Sequence, residues 1–219
     1  MKGTLIVLEG IDGSGKATQA ALLESKLKEI GRRVMRISFP DYESDSSALV
    51  KMYLAGDFGN NPNDVNPYAA SLFYAVDRFA SFRMKWKDFY ENGGIIIADR
   101  YVTSNMVHQM TKYDDKAERD AFLSWLSETE YGHLGLPRPD MVFLLDVPLA
   151  VSEELVKARH ESGGSMDIHE QHAEYLRRCY EAYQELAGRF SWIEIQCTEN
   201  HIMRAPEDIH LEMMKYISV

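Results

Sequence analysis

The sequence predicts an α/β fold in three layers, with a five-stranded parallel sheet flanked by helices. Five short apolar segments alternate with longer segments of helical periodicity along 219 residues, an order typical of parallel strands joined by crossover helices. The apolar segments are nearly continuous, as expected for strands buried on both faces. The chain has no repeat, low-complexity tract or linker, so we expect residues 1–219 to form a single domain.

The predicted strands are short and rich in Val, Ile and Leu. They are Leu5–Glu9, Val34–Phe39, Ile95–Asp99, Met141–Asp146 and Trp192–Gln196. Helical periodicity covers Lys16–Ile30, Pro67–Tyr90, Ala117–Leu126, Ala150–Ala158, Ile168–Phe190 and a last segment that begins near Pro206. Gly31 follows the first of these helices and Gly93-Gly94 ends the second, since glycine favours helix C-termini. Proline is favourable in a first helical turn, as at Pro206.

Two polar segments, Asp57–Asn66 and Glu161–Asp167, lack the pattern of a core element. The second contains Ser162-Gly163-Gly164-Ser165 between two predicted helices. Such a segment is either a mobile lid over a site or an ordinary solvent loop. We expect a short lid at about residues 159–168, because the chain also carries the phosphate-binding motif described below.

The composition indicates a soluble protein of a reducing compartment. The formal net charge of −10 disfavours nonspecific nucleic-acid binding, because that affinity comes from Lys and Arg. The two cysteines, Cys179 and Cys197, suggest neither a disulfide framework nor a zinc site. No apolar run approaches the roughly 18 residues of a membrane span, and the early first strand leaves no room for a signal peptide. We therefore expect a cytoplasmic protein with no nucleic-acid or membrane partner.

A glycine-rich loop follows the first strand and leads directly into the first helix. Its sequence, from Gly10 to Lys16, is a phosphate-binding P-loop in the context that this motif requires. Glycines let successive backbone N–H groups turn around a phosphate, and Lys16 reaches the β- and γ-phosphates. We therefore expect a P-loop NTPase fold. The predicted ATP contacts are Gly10, Ile11, Asp12, Gly13, Ser14, Gly15, Lys16, Ala17 and Thr18.

Ala17 departs from this motif, which normally has Ser or Thr there to bind Mg²⁺. Thr18 is adjacent but lies on a different side of the helix. Mg²⁺ keeps several waters and needs few protein ligands, so we expect it to be held through the nucleotide phosphates, water and an acidic residue. The preferred acidic candidates are Glu9 and Asp99, and Asp12 and Asp146 are further ones.

A second polar segment, Asp99 to Asn105, follows the third strand. The carboxyl ends of parallel strands meet at one edge of a sheet, so Asp99 and Arg100 point toward the same crevice as the P-loop. Arginine binds phosphate through two parallel hydrogen bonds, although the two side chains could instead form an ion pair that closes the sheet end. The Asn-Lys-x-Asp motif of switch GTPases does not occur, which favours an enzyme with an acceptor site.

With these features the chain resembles the thymidylate kinase family of nucleoside monophosphate kinases. The resemblance rests on four segments, in order, over about the first half of the chain. They are Glu9 to Gln19, Phe39-Pro40, Phe73 to Arg78, and Asp99 to Asn105. It implies transfer of the γ-phosphoryl group of ATP to dTMP, giving dTDP and ADP for dTTP biosynthesis, with Mg²⁺ as cofactor. It also implies a homodimer.

The resemblance also implies which residues bind dTMP. They are Asp12, Phe39, Pro40, Tyr74, Arg78, Arg100, Ser104, Asn105 and Gln109. Tyr74 would stack on thymine, with Phe73 as the alternative if the register slips by one. Arg78 would hydrogen-bond the carbonyl edge of the base, and Arg100 would hold the acceptor phosphate. His108 would lie against the sugar and disfavour a 2′-hydroxyl, or it is an ordinary helix-face residue.

One departure from the family pattern concerns the acceptor phosphate. Asp41-Tyr42 follows Phe39-Pro40, where many members have an arginine that helps to hold this phosphate. That contact is therefore in question here. At the other end of the chain, the segment from Cys197 to Arg204 follows the last strand, where nucleotide kinases of this fold hold adenine.

A second departure concerns the catalytic arginine. The family supplies it from the P-loop or from the lid, and Gly13 and Ser14 leave only the lid. We expect Arg159, which precedes the lid glycines, to act on the transferred phosphoryl group together with Lys16 and Arg100. The alternative is a solvated arginine at a helix end.

Two other functions remain open from the sequence. A deoxynucleoside kinase phosphorylates a sugar hydroxyl and benefits from a carboxylate base, which Glu9 could provide. A nonenzymatic nucleotide-binding protein is consistent with Ala17 and with a lid poor in basic residues. The Asp-Arg-Tyr-x-x-Ser segment and Arg78 favour a nucleoside monophosphate as acceptor. Transfer to a phosphate oxygen requires positioning and charge rather than a strong base.

Overall fold

Five parallel strands form one sheet, in the order β2-β3-β1-β4-β5. The strands are β1 Thr4–Glu9, β2 Val34–Ser38, β3 Ile95–Asp99, β4 Met141–Asp146 and β5 Ile193–Gln196. The computed structural model describes residues 2–161, 168–169 and 172–217, apart from the side chains of residues 158–161. Within these residues the predicted α/β fold is confirmed, and each predicted strand is present with ends that differ by at most one residue.

Helices cover both faces of this sheet. They are α1 Lys16–Glu29, α2 Ala48–Ala55, α3 Pro67–Ser81, α4 Lys87–Glu91, α5 Val102–Met110, α6 Lys116–Ser127, α7 Leu149–Glu161, α8 Ala173–Phe190 and α9 Pro206–Met214. A short antiparallel hairpin, β6 Thr198–Glu199 with β7 Ile202–Met203, precedes α9. Among the helices of the described ranges, none is long and apolar enough to cross a membrane.

Each face of the sheet packs into its own hydrophobic core. Alternate residues of a strand point to opposite faces, so Leu5 and Val7 enter one core while Ile6 and Leu8 enter the other. The first core is completed by α5, α6 and α8 and by the segment between α3 and α4. The second is completed by α1 and α9. The sheet is therefore buried on both faces, which explains why its strands are nearly continuous apolar segments.

The register of the central strands brings the two polar motifs together. Leu8 of β1 pairs with Asp99 of β3, and Arg100 N donates a hydrogen bond to Leu8 O at 3.1 Å. The P-loop leaves β1 one residue later, after Glu9. Both motifs therefore begin at the same edge of the sheet, where ligands bind in open α/β folds.

The prediction of one continuous helix over Pro67–Tyr90 is wrong. A π-helical segment, Phe82–Trp86, separates α3 from α4. The wider turn inserts an extra residue and re-aims the side chains that follow it. Phe82 and Trp86 consequently both enter the first core, with ring centroids 4.5 Å apart.

The predicted helix start at Ile168 is also wrong, because α8 begins at Ala173. Ile168 and His169 are buried instead against α2, where Ile168 N donates to Leu54 O at 3.2 Å. The lid predicted at about residues 159–168 lies largely outside the residues that the structure describes. The helices α2 and α5 were not predicted, and both line the site described below.

We expect Gly10→Ala to destabilise the fold by about 2 kcal/mol or more. Gly10 has a φ of +146°, and a Cβ there would lie 2.7 Å from Leu145 O. Gly188→Ala is the matched control, because Gly188 lies in α8 and a Cβ there meets nothing within 4 Å. It should stabilise the protein by about 0.5–1 kcal/mol, through helix propensity. Urea unfolding of the two variants measures both effects; equal stabilities would contradict the strain assigned to Gly10.

Candidate active site

A cavity of about 810 Å³ opens at the carboxyl edge of the sheet. It is lined by the P-loop and the start of α1, by the end of β2 and the loop after it, by α2 and α3, and by the junction of β3 with α5. Both halves of the predicted site, for donor and for acceptor, therefore share one cavity.

Lys16 forms the cationic part of the P-loop. Its Nζ donates to the carbonyl oxygens of Gly10 at 3.0 Å and Ile11 at 2.9 Å, and it lies 3.9 Å from Oδ1 of Asp12. Burial and then the charge of Arg100 lower the pKa of Lys16 to about 8. The buried ammonium is thus held at the loop by carbonyl oxygens and by one carboxylate, and it lines the cavity.

Some residues of the P-loop line the cavity and others do not. The predicted ATP residues that line it are Asp12, Gly13, Gly15, Lys16, Ala17 and Thr18. Gly10, Ile11 and Ser14 shape the loop from behind, and Ser14 N donates to Ile11 O at 3.2 Å. The start of α7 supports the loop from outside, where Ser152 Oγ donates to Asp12 O at 2.6 Å.

Arg100 and Asp12 form an ion pair across the cavity, with 2.5 Å between Nη2 and Oδ1. Burial alone would raise the pKa of Asp12, but the charges of Arg100 and Lys16 together hold it below the ordinary value. Arg100 has a φ of +67°, an uncommon conformation for a residue with a side chain. Backbone conformations of this kind are retained at sites where the surrounding contacts hold them in place.

Those contacts come from Glu9, which has no solvent exposure. Its carboxylate accepts hydrogen bonds from Thr103 Oγ1 at 2.5 Å and Tyr101 N at 3.3 Å. It also accepts from Ser104 Oγ at 2.6 Å and Tyr183 Oη at 3.1 Å. The same two hydroxyl oxygens accept from Arg100 Nη1, at 3.2 Å and 3.0 Å. Glu9 therefore orients Arg100 through two shared hydroxyl groups.

The acceptor half of the cavity has an aromatic wall. Phe39, Pro40 and Tyr74 line it, and their contact with dTMP stays a prediction. Phe73 points elsewhere and packs on Tyr53 and Phe58, with ring centroids 6.3 Å and 5.5 Å away. The helical register therefore favours Tyr74 over Phe73 as the ring that faces a ligand.

Arg78 lines the cavity but is largely engaged by a buried acid. Its Nε donates to Oε2 of Glu130 at 2.7 Å, and its Nη2 forms a second bond to Oε1 of the same residue. Asn105 Nδ2 donates to Glu130 Oε1 at 3.0 Å. Glu130 was not predicted, because its own segment of sequence carries no motif and it meets Arg78 only in the folded chain.

Two imidazoles line a further part of the cavity. His108 and His169 stack with ring centroids 5.4 Å apart, and His108 Nδ1 lies 3.0 Å from Tyr175 Oη. Burial lowers the pKa of both, and Lys112 adds to the effect at His169, whose pKa falls to about 3. His108 therefore faces the cavity as a neutral ring, and its contact with a sugar stays a prediction.

Gln109 is the predicted dTMP residue that does not reach the cavity lining. It is fully buried, and neither its Oε1 nor its Nε2 has a hydrogen-bond partner among the described residues. Ser104 and Asn105, one turn earlier, do line the cavity. The contact of Gln109 with the base stays a prediction.

Several cavity residues were missed from the sequence. They are Ser38, Tyr42, Lys51, Leu54, Ala55, Tyr101 and His169. Lys51, Leu54 and Ala55 belong to α2, which was not predicted. A helix predicted for the segment after Asp41-Tyr42 would have placed these three residues on one helix face.

The acidic residues predicted to bind a metal ion differ in whether their carboxylates are already engaged by other side chains. Asp99 lines the cavity and makes no ion pair with any residue that the structure describes, whereas both oxygens of Glu9 are occupied by hydrogen-bond donors. Asp146 accepts from the side-chain amides of Gln184 and Gln196. In the described part of the chain, no group of three His, Cys, Asp or Glu residues could hold a metal ion alone. Carboxylates of Asp99 and Asp12 at the cavity fit an ion that keeps most of its water.

A family model and individual relatives of this chain point to the same protein family. A family model described as thymidylate kinase matches residues 8–209. The thymidylate kinase of Mycobacterium tuberculosis is 32% identical over 192 residues, which cover 84% of this chain and 86% of that protein. A probable thymidylate kinase of Pyrococcus horikoshii is 29% identical over 99% of this chain and 97% of its own.

Solved structures show the same fold. The thymidylate kinase of Candida albicans superposes with a TM-score of 0.72 at 22% identity, covering 98% of this chain and 91% of its own. That of Ehrlichia chaffeensis superposes with a TM-score of 0.67 at 22% identity and covers 99% of both chains.

We expect Glu9→Gln to lower the free energy of unfolding by about 2–4 kcal/mol, because it replaces a buried acceptor of four hydrogen bonds with a group that also donates. Glu194→Gln is the control, since Glu194 is an exposed residue of β5 and should change stability by less than about 0.5 kcal/mol. Chemical denaturation compares the two. A Glu9→Gln protein as stable as the control would show that this hydrogen-bonded cluster contributes nothing to the fold.

Proposed function

This chain belongs to the thymidylate kinase family, and we propose that it transfers the γ-phosphoryl group of ATP to dTMP, giving dTDP and ADP. The observation that carries the proposal is the single cavity shared by the P-loop lysine, Lys16, and by Tyr74, Arg78 and Arg100. A donor polyphosphate at the P-loop and a nucleoside monophosphate at the aromatic wall would meet there with their phosphates adjacent.

The reaction needs alignment and positive charge more than acid–base chemistry. A phosphate oxygen of dTMP attacks the γ-phosphorus, and the bond to the β–γ bridging oxygen breaks, so that ADP leaves. The nucleophile is already ionised, so it needs no strong base. Lys16 neutralises charge on the donor phosphates, and Arg100 holds the acceptor phosphate by exchanging its partner Asp12 for phosphate oxygens.

We extend the proposal to Mg²⁺ as cofactor. Asp99 and Asp12 would hold it, together with water and the nucleotide, because Ala17 offers no oxygen at the usual position. When bound, Mg²⁺ neutralises charge on the phosphates. Asp99 is the better placed of the two preferred candidates, since the carboxylate of Glu9 is saturated by protein donors.

Two further cations belong to the proposal. Arg159, near the end of α7, would act on the transferred phosphoryl group; its side chain lies outside the described residues. Lys51 of α2 lines the cavity and would assist Arg100 at the acceptor phosphate, in place of the arginine that Asp41 replaces. Asp41 itself pairs with Lys85 at 2.5 Å, so it presents no net charge of its own to the phosphate.

We also propose that the enzyme is a cytoplasmic homodimer. Exposed apolar side chains form one stripe along α3, at Tyr68, Leu72, Val76 and Phe79. Their spacing puts them on one helix face, and a stripe of this kind supports an interface between two copies. Both cysteines are free, which agrees with a reducing compartment.

The alternatives draw less support from the site. A deoxynucleoside kinase would use Glu9 as a base, but Glu9 accepts four hydrogen bonds and lies behind the cavity. A nonenzymatic nucleotide-binding protein would not need Arg100, Arg78 and Tyr74 together in the same cavity as Lys16.

An acceptor panel tests the proposed function. We expect ADP release from ATP and Mg²⁺ to be fastest, in kcat/KM, with dTMP, compared with dUMP, UMP, CMP, GMP and thymidine. Lys16→Met serves as the control for contaminating kinases and should lose about 10²-fold or more in kcat. Turnover of thymidine without turnover of dTMP would support the deoxynucleoside kinase instead. ATP binding without turnover of any acceptor would support the nonenzymatic alternative.

We expect Tyr74→Ala to raise KM for dTMP by about tenfold or more, because aromatic stacking on a base contributes about 1–3 kcal/mol. Phe73→Ala is the matched neighbour, and it should leave KM for dTMP within about threefold while reducing stability, since Phe73 packs on Tyr53 and Phe58. Steady-state kinetics with ATP saturating, together with thermal unfolding, separate the two effects. A silent Tyr74→Ala with an affected Phe73→Ala would reverse the assignment.

A further inference from the structure

Glu130 lies behind the base end of the cavity, in the π-helical segment Glu128–His133 that follows α6. It has no solvent exposure and does not line the cavity. We propose that Glu130 fixes the directions of Arg78 and Asn105, and that it thereby lets this cavity select thymine and uracil against cytosine. The proposal rests on dTMP as acceptor, and it assigns to Glu130 a positioning role that neither motif nor cavity lining reveals.

The first fixed direction is that of the guanidinium. Glu130 accepts from Nε of Arg78 at 2.7 Å and also from Nη2, so two of the three nitrogens are engaged in one plane. The third, Nη1, is the nitrogen that Glu130 does not use. Burial would lower the pKa of Arg78, but the charge of Glu130 raises it above the ordinary value, so the guanidinium stays a donor.

The charge of this pair matters as much as its direction. Glu130 compensates the positive charge of Arg78 within the buried pair. A compensated guanidinium is suited to the neutral carbonyl of a base, whereas Arg100, whose partner Asp12 is partly exposed, is suited to a phosphate. The two arginines of the cavity are thereby assigned to different ends of one nucleotide.

The second fixed direction is that of the Asn105 amide. Its Nδ2 donates to Glu130 Oε1 at 3.0 Å and to Ser71 O at 3.2 Å. A carboxylate and a carbonyl can only accept, so the amide nitrogen must face them and the oxygen must face the other way. Oδ1 is buried and has no hydrogen-bond partner among the described residues. The group that Asn105 has left to pair with a ligand is therefore an acceptor.

Arg78 and Asn105 both line the cavity, and in this proposal Nη1 of Arg78 is the donor and Oδ1 of Asn105 the acceptor that meet the base. Thymine and uracil present the complementary pair, a carbonyl oxygen at C4 next to the N–H at N3. Cytosine presents the reverse, an amino group at C4 next to an N3 that accepts. A site whose buried polar groups would be left unpaired by the wrong base rejects that base strongly. The geometry therefore selects the thymine and uracil edge against cytosine.

Glu130 is required for this selection because a carboxylate accepts and cannot donate. A glutamine at this position presents both an acceptor and a donor, so the amide of Asn105 can bond to it in either orientation. It also releases one of the two bonds that hold Arg78. Loss of the carboxylate should therefore affect recognition of the base edge and leave the P-loop unaffected.

The test compares wild type, Glu130→Gln and Glu130→Asp with dTMP, dUMP and dCMP as acceptors. In Glu130→Gln we expect KM for dTMP to rise about tenfold or more, with kcat within about threefold and KM for ATP within about twofold. The dTMP-to-dCMP ratio of kcat/KM should fall about tenfold or more. The dTMP-to-dUMP ratio should stay within about twofold, because both bases share the same edge.

Glu130→Asp keeps the charge of the buried pair and is the variant that decides the result if Glu130→Gln does not fold. Its carboxylate, one methylene shorter, cannot reach both Arg78 and Asn105, so the dTMP-to-dCMP ratio should fall about threefold or more. Glu128→Gln, at an exposed residue of the same segment, is the control and should match wild type.

The outcomes separate the two proposals. Wild type that does not phosphorylate dTMP overturns the proposed function, and this inference with it. Wild type that phosphorylates dTMP, with variants that keep the dTMP-to-dCMP ratio within about twofold, overturns the inference alone. A uniform loss of activity for every acceptor and for ATP, or loss of fold in both variants, also overturns it, because Glu130 would then serve only the core.

Discussion

The carboxylate of Glu9 accepts four hydrogen bonds at the point where β1 ends, and the geometry of the site follows from it. Its partners come from the β3–α5 junction and from α8, so one buried anion joins three separate parts of the chain. Two of those partners also accept from Arg100. Because the P-loop begins at the next residue, Gly10, the same anion fixes the position of the P-loop relative to Arg100.

Three cations of the cavity, Lys16, Arg78 and Arg100, are each paired with a carboxylate, and the pairs differ in their exposure to solvent. Arg78 and Glu130 are both buried, and a buried pair with satisfied hydrogen bonds does not readily exchange partners. Asp12, the partner of Arg100 and Lys16, is about one-third exposed. That pair can give way to phosphate oxygens at a lower desolvation cost. In the proposed function, this chain with a net charge of −10 has Lys16 and Arg100 available to neutralise phosphate charge, whereas the charge of Arg78 is compensated where a neutral base would bind.

Local patterns were enough to predict the strands and the P-loop, because each depends on residues a few positions apart, whereas Tyr74 was expected at the site only from the family resemblance. Contacts between distant segments were not predictable in this way. Glu130 meets Arg78 across 52 residues and Tyr183 meets Glu9 across 174, and neither Glu130 nor Tyr183 stands in a motif. The π-helical segment Phe82–Trp86 was missed for a related reason, since packing of its two aromatic rings in the core decides the local geometry.

Glu9 and Glu130, two acids with no solvent exposure, orient arginines and do not serve as general bases in the proposed phosphoryl transfer, which requires no such base. Each lies behind the cavity and accepts hydrogen bonds from an arginine, either directly or through hydroxyl groups. Each therefore orients an arginine side chain and transfers no proton. An arginine on a flexible side chain would lose conformational entropy when it binds a substrate. Hydrogen bonds to a buried acid remove that freedom during folding, before a substrate arrives. In this cavity, the free energy of folding is therefore used to preorganise the groups that transfer requires.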